Sequence, residues 1–291
     1  RLSVAIHYPR NLTTQMAFRP ELEKLAKKIR EVMPNFETKE DALKENAIRV
    51  GTLRSAGRKL DKKVCQQLAD KLESCSPEEP CGSMACSICQ HIRRLIHIPG
   101  WQSYIEEHQD EYVAVTLISY VDMVPNNKLL GWDFDAMKER YRKAISRIGF
   151  SLPVIGGFEM DYHNYSHAPE TSHWMPHFHL LVPNEPEKIE RLHHYMLRGK
   201  NLHARNGRKN RPFRKDRIDN PVRALSYCIS GIWMEHVWFR NEEKEVKKRR
   251  NPIRISDERI FAKSLVKLDR MSDGQLTFGV NVQAMRKKIS S

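Results

Sequence analysis

The clearest pattern along the chain is alternation of apolar and polar positions over two neighbouring stretches. Between Pro153 and His163, Val154, Phe158, Met160 and Tyr162 share one face, while Glu159, Asp161 and His163 share the other. The second stretch is Trp174-Met175-Pro176-His177-Phe178-His179-Leu180-Leu181-Val182, ending at Pro183-Asn184. It predicts a β-strand with His177 and His179 on one side and Phe178 on the other. The polar residues 164–172 between them predict a loop joining antiparallel neighbours. Residues 112–119 form a continuous apolar, β-branched run, which predicts a central strand buried on both faces.

Helical spacing fills most of the rest. Leu22, Leu25, Ile29 and Val32 form one stripe, and residues 42–53 a second helix. Phe134, Met137, Tyr141, Ile145 and Ile148 form another, with Asp133 as N-cap and Gly149 as terminator. Further helices are predicted over 185–197 and 257–269. Asn220 and Pro221 open one more, with Ala224, Leu225, Cys228 and Ile232 inward and Tyr227 beside that stripe. Strand, helix, strand, strand with flanking helices predicts an α+β fold, an antiparallel sheet covered by helices. The division read from composition is a helical region over 1–64, a Cys-rich segment over 65–98, a core over 99–240 and a basic segment over 241–291.

Charge sharpens the functional expectation. The 291 residues carry 50 Lys and Arg against 36 Asp and Glu, a formal charge of +14. That excess points to a polyanionic partner, most simply nucleic acid. Residues 198–217 hold nine Lys or Arg and one acid, with Gly199, Gly207 and Pro212 arguing for a flexible basic loop. Its Arg205, Arg208, Lys209, Arg211, Arg214 and Lys215 are expected to bind DNA by displacing counterions. Lys247-Lys248-Arg249-Arg250 predicts a linker or a second DNA-facing edge. No apolar run is long enough to span a bilayer and no secretory leader is visible, so a cytoplasmic protein with no membrane partner is expected. Repeats, phosphate-binding loops and helicase motifs are absent from the sequence.

Two clusters carry candidate metal chemistry. His177 and His179 on one strand face, joined by Glu159 or Asp161 from the neighbouring strand, suit Mn²⁺ or Mg²⁺ acting as a Lewis acid on a phosphate. Five cysteines lie between residues 65 and 89, the tightest set being Cys75-x5-Cys81-x4-Cys86-x2-Cys89. Reduced thiols at this spacing predict a tetrahedral structural Zn²⁺ site, with Cys65 or His91 as alternative ligands. A basic helix follows at once and would carry Arg93 and Arg94 to a DNA backbone.

The run Pro176-His177-Phe178-His179-Leu180-Leu181-Val182 resembles the His-hydrophobic-His strand of the HUH endonucleases, in particular the rolling-circle replication initiators of small bacterial plasmids. With the Cys cluster, the apolar strand, the Glu-bearing strand and a later tyrosine in the same order, the resemblance spans about residues 75 to 235. It implies a ferredoxin-like or RNA-recognition-like core and a site-specific single-strand DNA endonuclease and strand transferase. His177, His179 and Glu159, with Asp161 as the alternative carboxylate, would hold the ion. Tyr227 would attack the phosphodiester and form a 5′-phosphotyrosine, with Arg223 one turn away assisting and Tyr195 in reserve. Many relatives carry a lysine three or four residues after the tyrosine; here those positions are Ser230 and Gly231. The implied partners are single-stranded or hairpin DNA at a replication origin and a separate host helicase. A one-tyrosine HUH transposase would use the same chemistry, and a non-catalytic zinc-containing DNA-binding regulator would use the basic surfaces alone.

Overall fold

The computed structural model describes residues 20–57, 60–202 and 210–282. Before the sheet come four helices: α1 (Pro20–Val32), α2 (Lys39–Ala56), α3 (Lys62–Glu73) and α4 (Ser87–Glu107). Then follow β1 (Tyr112–Ile118), β2 (Val124–Pro125), α5 (Phe134–Ile148), β3 (Val154–Tyr165), β4 (His173–Pro183) and α6 (Pro186–Met196). The chain continues through β5 (Phe213–Arg217), α7 (Pro221–Cys228), β6 (Glu235–Arg240), β7 (Val246–Lys248), α8 (Glu258–Asp269), α9 (Asp273–Leu276) and β8 (Thr277–Val280). No described helix is long and apolar enough to cross a membrane.

The fold is α+β, and its sheet is mixed rather than wholly antiparallel. The strand order is β5-β1-β4-β3-β6-β7, with β2 pairing with β4 and β8 pairing with β3. The parallel pairing is β3 with β6. It arises because β3 is long: β8 covers its first residues antiparallel and β6 its last residues parallel. Between those two partners, β3 is flanked by the irregular stretch that follows α7.

Local chemistry explains the element ends. Asp133 accepts from the Ala136 amide, and Gly149 closes α5 in the left-handed region (φ 74°). Asn220 accepts from the Arg223 amide and Pro221 opens α7, as its sequence predicts. α7 ends earlier than its apolar stripe suggests: Cys228 is its last residue, and Ile232 lies in the irregular stretch.

The two faces of the sheet differ. On one, Val115, Leu117, Phe158, Met160, Phe178 and Leu180 join a continuous apolar core with Met137, Tyr141 and Ile145 of α5 and Leu265 of α8. On the other, Ile155 and Leu181 pack against Leu95 and Ile98 of α4 and Leu225 and Cys228 of α7. This second helical layer covers only part of its face, and beyond it the polar members of β3 and β4 begin. β1 is accordingly not buried evenly. Val113, Val115 and Leu117 are buried, whereas Ala114, Thr116 and Ile118 are partly exposed.

Part of the stretch expected to be a flexible basic loop is ordered, and so is part of the stretch expected to be a linker or a DNA-facing edge. Residues 213–217 form β5, antiparallel to β1, because charged side chains on an edge strand face water while the backbone pairs inward. Residues 246–248 form β7 on β6. The C-terminal segment also adds α8, α9 and β8 to the body of the fold, with Lys71 paired to Asp269 at 2.7 Å.

Candidate metal centres

The antiparallel register of β3 and β4 sets Glu159 directly opposite His177 and Asp161 opposite Met175. Side chains of directly opposed residues stand on the same face, so Glu159, His177 and His179 converge. Their ligand atoms lie within 4.8 Å of one another. The nearest Glu159 oxygen is 3.8 Å from His177 Nε2 and 3.6 Å from His179 Nε2. All three residues are buried.

Each group is held by its far side. His177 Nδ1 lies 3.1 Å from the Met175 carbonyl, so it carries the proton and leaves Nε2 as the acceptor. His179 Nδ1 lies 3.1 Å from the Thr116 hydroxyl of β1. One oxygen of Glu159 accepts from the Ser230 hydroxyl and from the Gly231 amide at 3.1 Å, which turns the other oxygen toward the imidazoles. Ser230 and Gly231 thus anchor the carboxylate of the site.

The electrostatics fit a cation. Burial alone would raise the Glu159 carboxyl, but the two imidazoles outweigh it and hold the group well below the usual carboxylate range. Burial alone would lower His177, but the Glu159 and Asp161 carboxylates hold it up at about 8. His179 moves down, because burial and the neighbouring His177 outweigh Glu159. The centre is a buried carboxylate with two imidazoles, a donor set suited to a divalent ion.

Asp161, the alternative ligand, is otherwise engaged. It accepts from His236 Nε2 at 2.8 Å and from the Met234 amide at 3.2 Å, and stands 3.9 Å from His177 Nε2. Its place is beside the triad rather than in it. His163, His173 and His236 cluster nearby, but among the described residues they form no converging ligand group.

Tyr227 is brought to this centre. Its ring lies 4.2 Å from that of His179, and 56% of the residue is exposed. Gly157 makes the approach possible: a Cβ there would stand 2.2 Å from the Cys228 carbonyl, so only glycine lets the end of α7 rest on β3. Partial burial, then the Glu159 and Asp161 carboxylates, push the phenol up to about 12, while Arg214 opposes the rise. A cleft lined by Thr116, Arg214, Arg217 and Arg223 leads to Tyr227 and His179. Arg223 is exposed and donates to the Val32 carbonyl at 3.3 Å.

Other expected residues fall elsewhere. Tyr195 is not near the centre: its ring meets Tyr141, which packs on Phe178, on the opposite face of the sheet. Arg93 and Arg94 do not reach a DNA-facing surface. Arg93 is fully buried and paired with Asp273; Arg94 is buried and paired with Glu37 and Ser226. Two buried guanidiniums need such partners, and periodicity alone does not separate a basic face from a buried ion pair. Of the basic-loop residues, Arg205, Arg208 and Lys209 lie outside the described residues. Arg211, Arg214 and Lys215 are exposed; the register with β1 turns Arg214 toward the histidine face and Lys215 away from it.

The second centre lies on the loop before α4 and on the first turn of that helix. Cys75, Cys81, Cys86 and Cys89 bring their sulfurs within 4.8 Å of one another, with separations of 3.5 Å for Cys75–Cys86, 3.7 Å for Cys75–Cys89 and 3.8 Å for Cys81–Cys89. These distances are far from a bonded disulfide pair. Hydrogen bonds among the sulfurs push the Cys81 thiol down and Cys86 up. Cys65 is buried in the apolar core, and His91 faces Glu37 at 3.4 Å, so neither belongs to this group. The four sulfurs can hold a metal ion.

No family model, curated protein or solved structure matches the chain.

Proposed function

We propose that the chain is an HUH-type, site-specific single-strand DNA endonuclease and strand transferase that initiates rolling-circle replication, built on a ferredoxin-like core. The observation that carries this reading is the register that opposes Glu159 to His177, with Tyr227 standing over His179. A purely DNA-binding regulator would have no use for this buried triad beside an accessible phenol.

In this reading His177, His179 and Glu159 hold Mn²⁺ or Mg²⁺, which supplies Lewis-acid polarisation of the scissile phosphate when bound. Tyr227 loses its proton to solvent and its oxygen bonds to phosphorus. The phosphorus–oxygen bond to the upstream sugar breaks, and the departing 3′-oxygen takes up a proton. The 5′ end stays on Tyr227, and reversal of the attack rejoins a strand. Arg214, Arg217 and Arg223 line the cleft beside Tyr227 and would bind the phosphates of the retained strand. Strand opening would fall to a separate helicase.

The Cys75, Cys81, Cys86 and Cys89 set is read as structural Zn²⁺. A tetrahedron with metal–sulfur bonds of ~2.3 Å has edges of ~3.8 Å, which the observed sulfur separations of 3.5 to 3.8 Å already approach.

The test is covalent capture. Wild-type protein with Mn²⁺ and a labelled origin strand should give a denaturation-resistant adduct mapping to Tyr227. Tyr227→Phe should form none while retaining its fold and Mn²⁺ binding, and Tyr195→Phe should behave as wild type. An adduct that survives Tyr227→Phe excludes the assigned nucleophile. A wild-type protein that neither cuts nor joins any strand of its replicon sinks the endonuclease reading.

A further inference from the structure

The stretch after α7 is gripped from two sides. On one side it holds the ion centre, since Ser230 and the Gly231 amide both donate to the same oxygen of Glu159. On the other side it is held by α4, the helix whose N-cap is Cys86 and whose first turn contains Cys89. Gln90 Nε2 donates to the Gly231 carbonyl at 3.1 Å and to the Met84 carbonyl, between Cys81 and Cys86, at 2.8 Å. Arg93 donates to the Ile229 carbonyl at 2.9 Å. Both side chains are buried, so these bonds are not traded with water. Gly231 has φ 62°, and a Cβ there would lie 3.3 Å from the Arg93 guanidinium. The stretch therefore has little room to settle in another position.

We propose that Gln90 and Arg93 are positioning residues for the Glu159/His177/His179 centre, and that the four-cysteine centre sets that site's affinity for a divalent cation through them. This rests on reading both groups as metal sites. The loop carrying Cys75, Cys81 and Met84 has no helix or strand. Beyond its own turns it is tied to the fold by side-chain bonds such as Ser83 to Asp269 and Arg49 to the Ala85 carbonyl, and an ion that gathers its sulfurs adds to that hold. Arg49 donates to Gln90 Oε1 at 3.2 Å and to the Ala85 carbonyl of the same loop at 2.8 Å. If those sulfurs part, the Met84 and Ala85 carbonyls move and Gln90 loses its hold on the loop side. The Gly231 amide then drifts and Glu159 no longer turns one oxygen to the imidazoles. Residues that orient a ligating carboxylate typically change metal affinity 10–100-fold.

The test measures Mn²⁺ binding to the full chain without DNA, by the paramagnetic resonance of the bound ion, alongside zinc content. Gln90→Met keeps the size of the side chain and removes its donor. It should retain zinc and the thermal transition, bind Mn²⁺ about 10–100-fold more weakly, and alter the resonance line shape of the bound ion. Ser230→Ala, at the far end of the same chain of contacts, should weaken Mn²⁺ without zinc loss. The double variant should lose less than the product of the two, because both act through one carboxylate. Zinc-stripped wild type should match the weakened affinity, which keeps the proposal open to test if Gln90→Met fails to fold. Wild-type Mn²⁺ affinity in Gln90→Met, or in folded zinc-stripped protein, overturns the coupling alone. Wild type that binds no Mn²⁺ overturns the ion-site reading as well.

Discussion

The two metal-capable centres are built on opposite principles. The four cysteines fall within 15 consecutive positions, residues 75 to 89, on loops and one helix turn with no strand among them. That loop is held by its own turns and by side-chain bonds such as Ser83 to Asp269, Arg49 to the Ala85 carbonyl and Gln90 to the Met84 carbonyl, without a backbone ladder to a neighbouring strand. Glu159, His177 and His179 come from two strands whose backbone hydrogen bonds hold them in register. There the scaffold exists before any ion arrives. The difference teaches how an ion would act at each: a loop-borne site would gain local order from it, whereas a sheet-borne site offers preformed ligands.

Removing ligands should expose that contrast most strongly at the cysteines. Cys86→Ser or Cys89→Ser should abolish zinc binding, lower the thermal transition by many degrees and raise the reactivity of the remaining thiols. Zinc analysis, a melting curve and thiol titration measure this. Zinc-free protein with an unchanged transition would put both centres in the same class.

At the sheet-borne centre the expected pattern reverses. His177→Ala should cut cleavage of a cognate strand by about 10³-fold or more, corresponding to the several kcal/mol supplied by a Lewis-acid ion. Its melting temperature should stay within a few degrees of wild type, because the register does not depend on that imidazole. Collapse of the fold in this variant would mean that the site is as structural as the four-cysteine loop is expected to be.

Proton linkage gives a finer comparison. In metal-free protein His177 is held up at about 8 by Glu159 and Asp161, and it must lose that proton to ligate an ion. Mn²⁺ affinity should therefore rise about tenfold per pH unit between roughly pH 6.5 and 8 and flatten above, with one proton released. The same raised value stabilises the metal-free fold below about pH 6.5, a contribution lost as the pH rises through 8. Isothermal calorimetry in buffers of different ionisation enthalpy counts the proton, and an affinity flat across this range would contradict the assignment.

The smallest effects belong to the cleft. Arg214→Ala should weaken single-strand DNA binding by a few-fold and reduce the salt slope by about one. Lys215→Ala, turned to the other face, should change both less. Equal losses would mean that the strand does not follow the histidine side.

How much of this is legible in the sequence follows from which periodicities are local. Alternation placed Glu159 and Asp161 on one face of β3 and His177 and His179 on one face of β4, and the polar segment between them predicted the antiparallel turn. It did not choose between the two carboxylates. That choice is a matter of register and of the stretch after α7, where Ser230 and Gly231 hold Glu159 while His236 and Met234 engage Asp161. Nor did charge separate Arg93 and Arg94, which answer buried Asp273 and Glu37, from Arg214, which faces the cleft. β5 was hidden for a related reason: an edge strand with charged side chains has the composition of a loop.

The sequence by itself determined the α+β class, the caps of α5 and α7, the cysteine set and the two-histidine strand, because each is written in spacing over fewer than about 20 residues. Only the tertiary structure decided the sheet's mixed character, which carboxylate converges with the two histidines, and the approach of Tyr227 in place of Tyr195. Those depend on contacts between residues far apart in the chain, such as Gly157 against the Cys228 carbonyl and Gln90 against the Gly231 carbonyl. Such contacts arise from the closing of one element on another, and no local pattern of apolar and polar positions encodes their geometry.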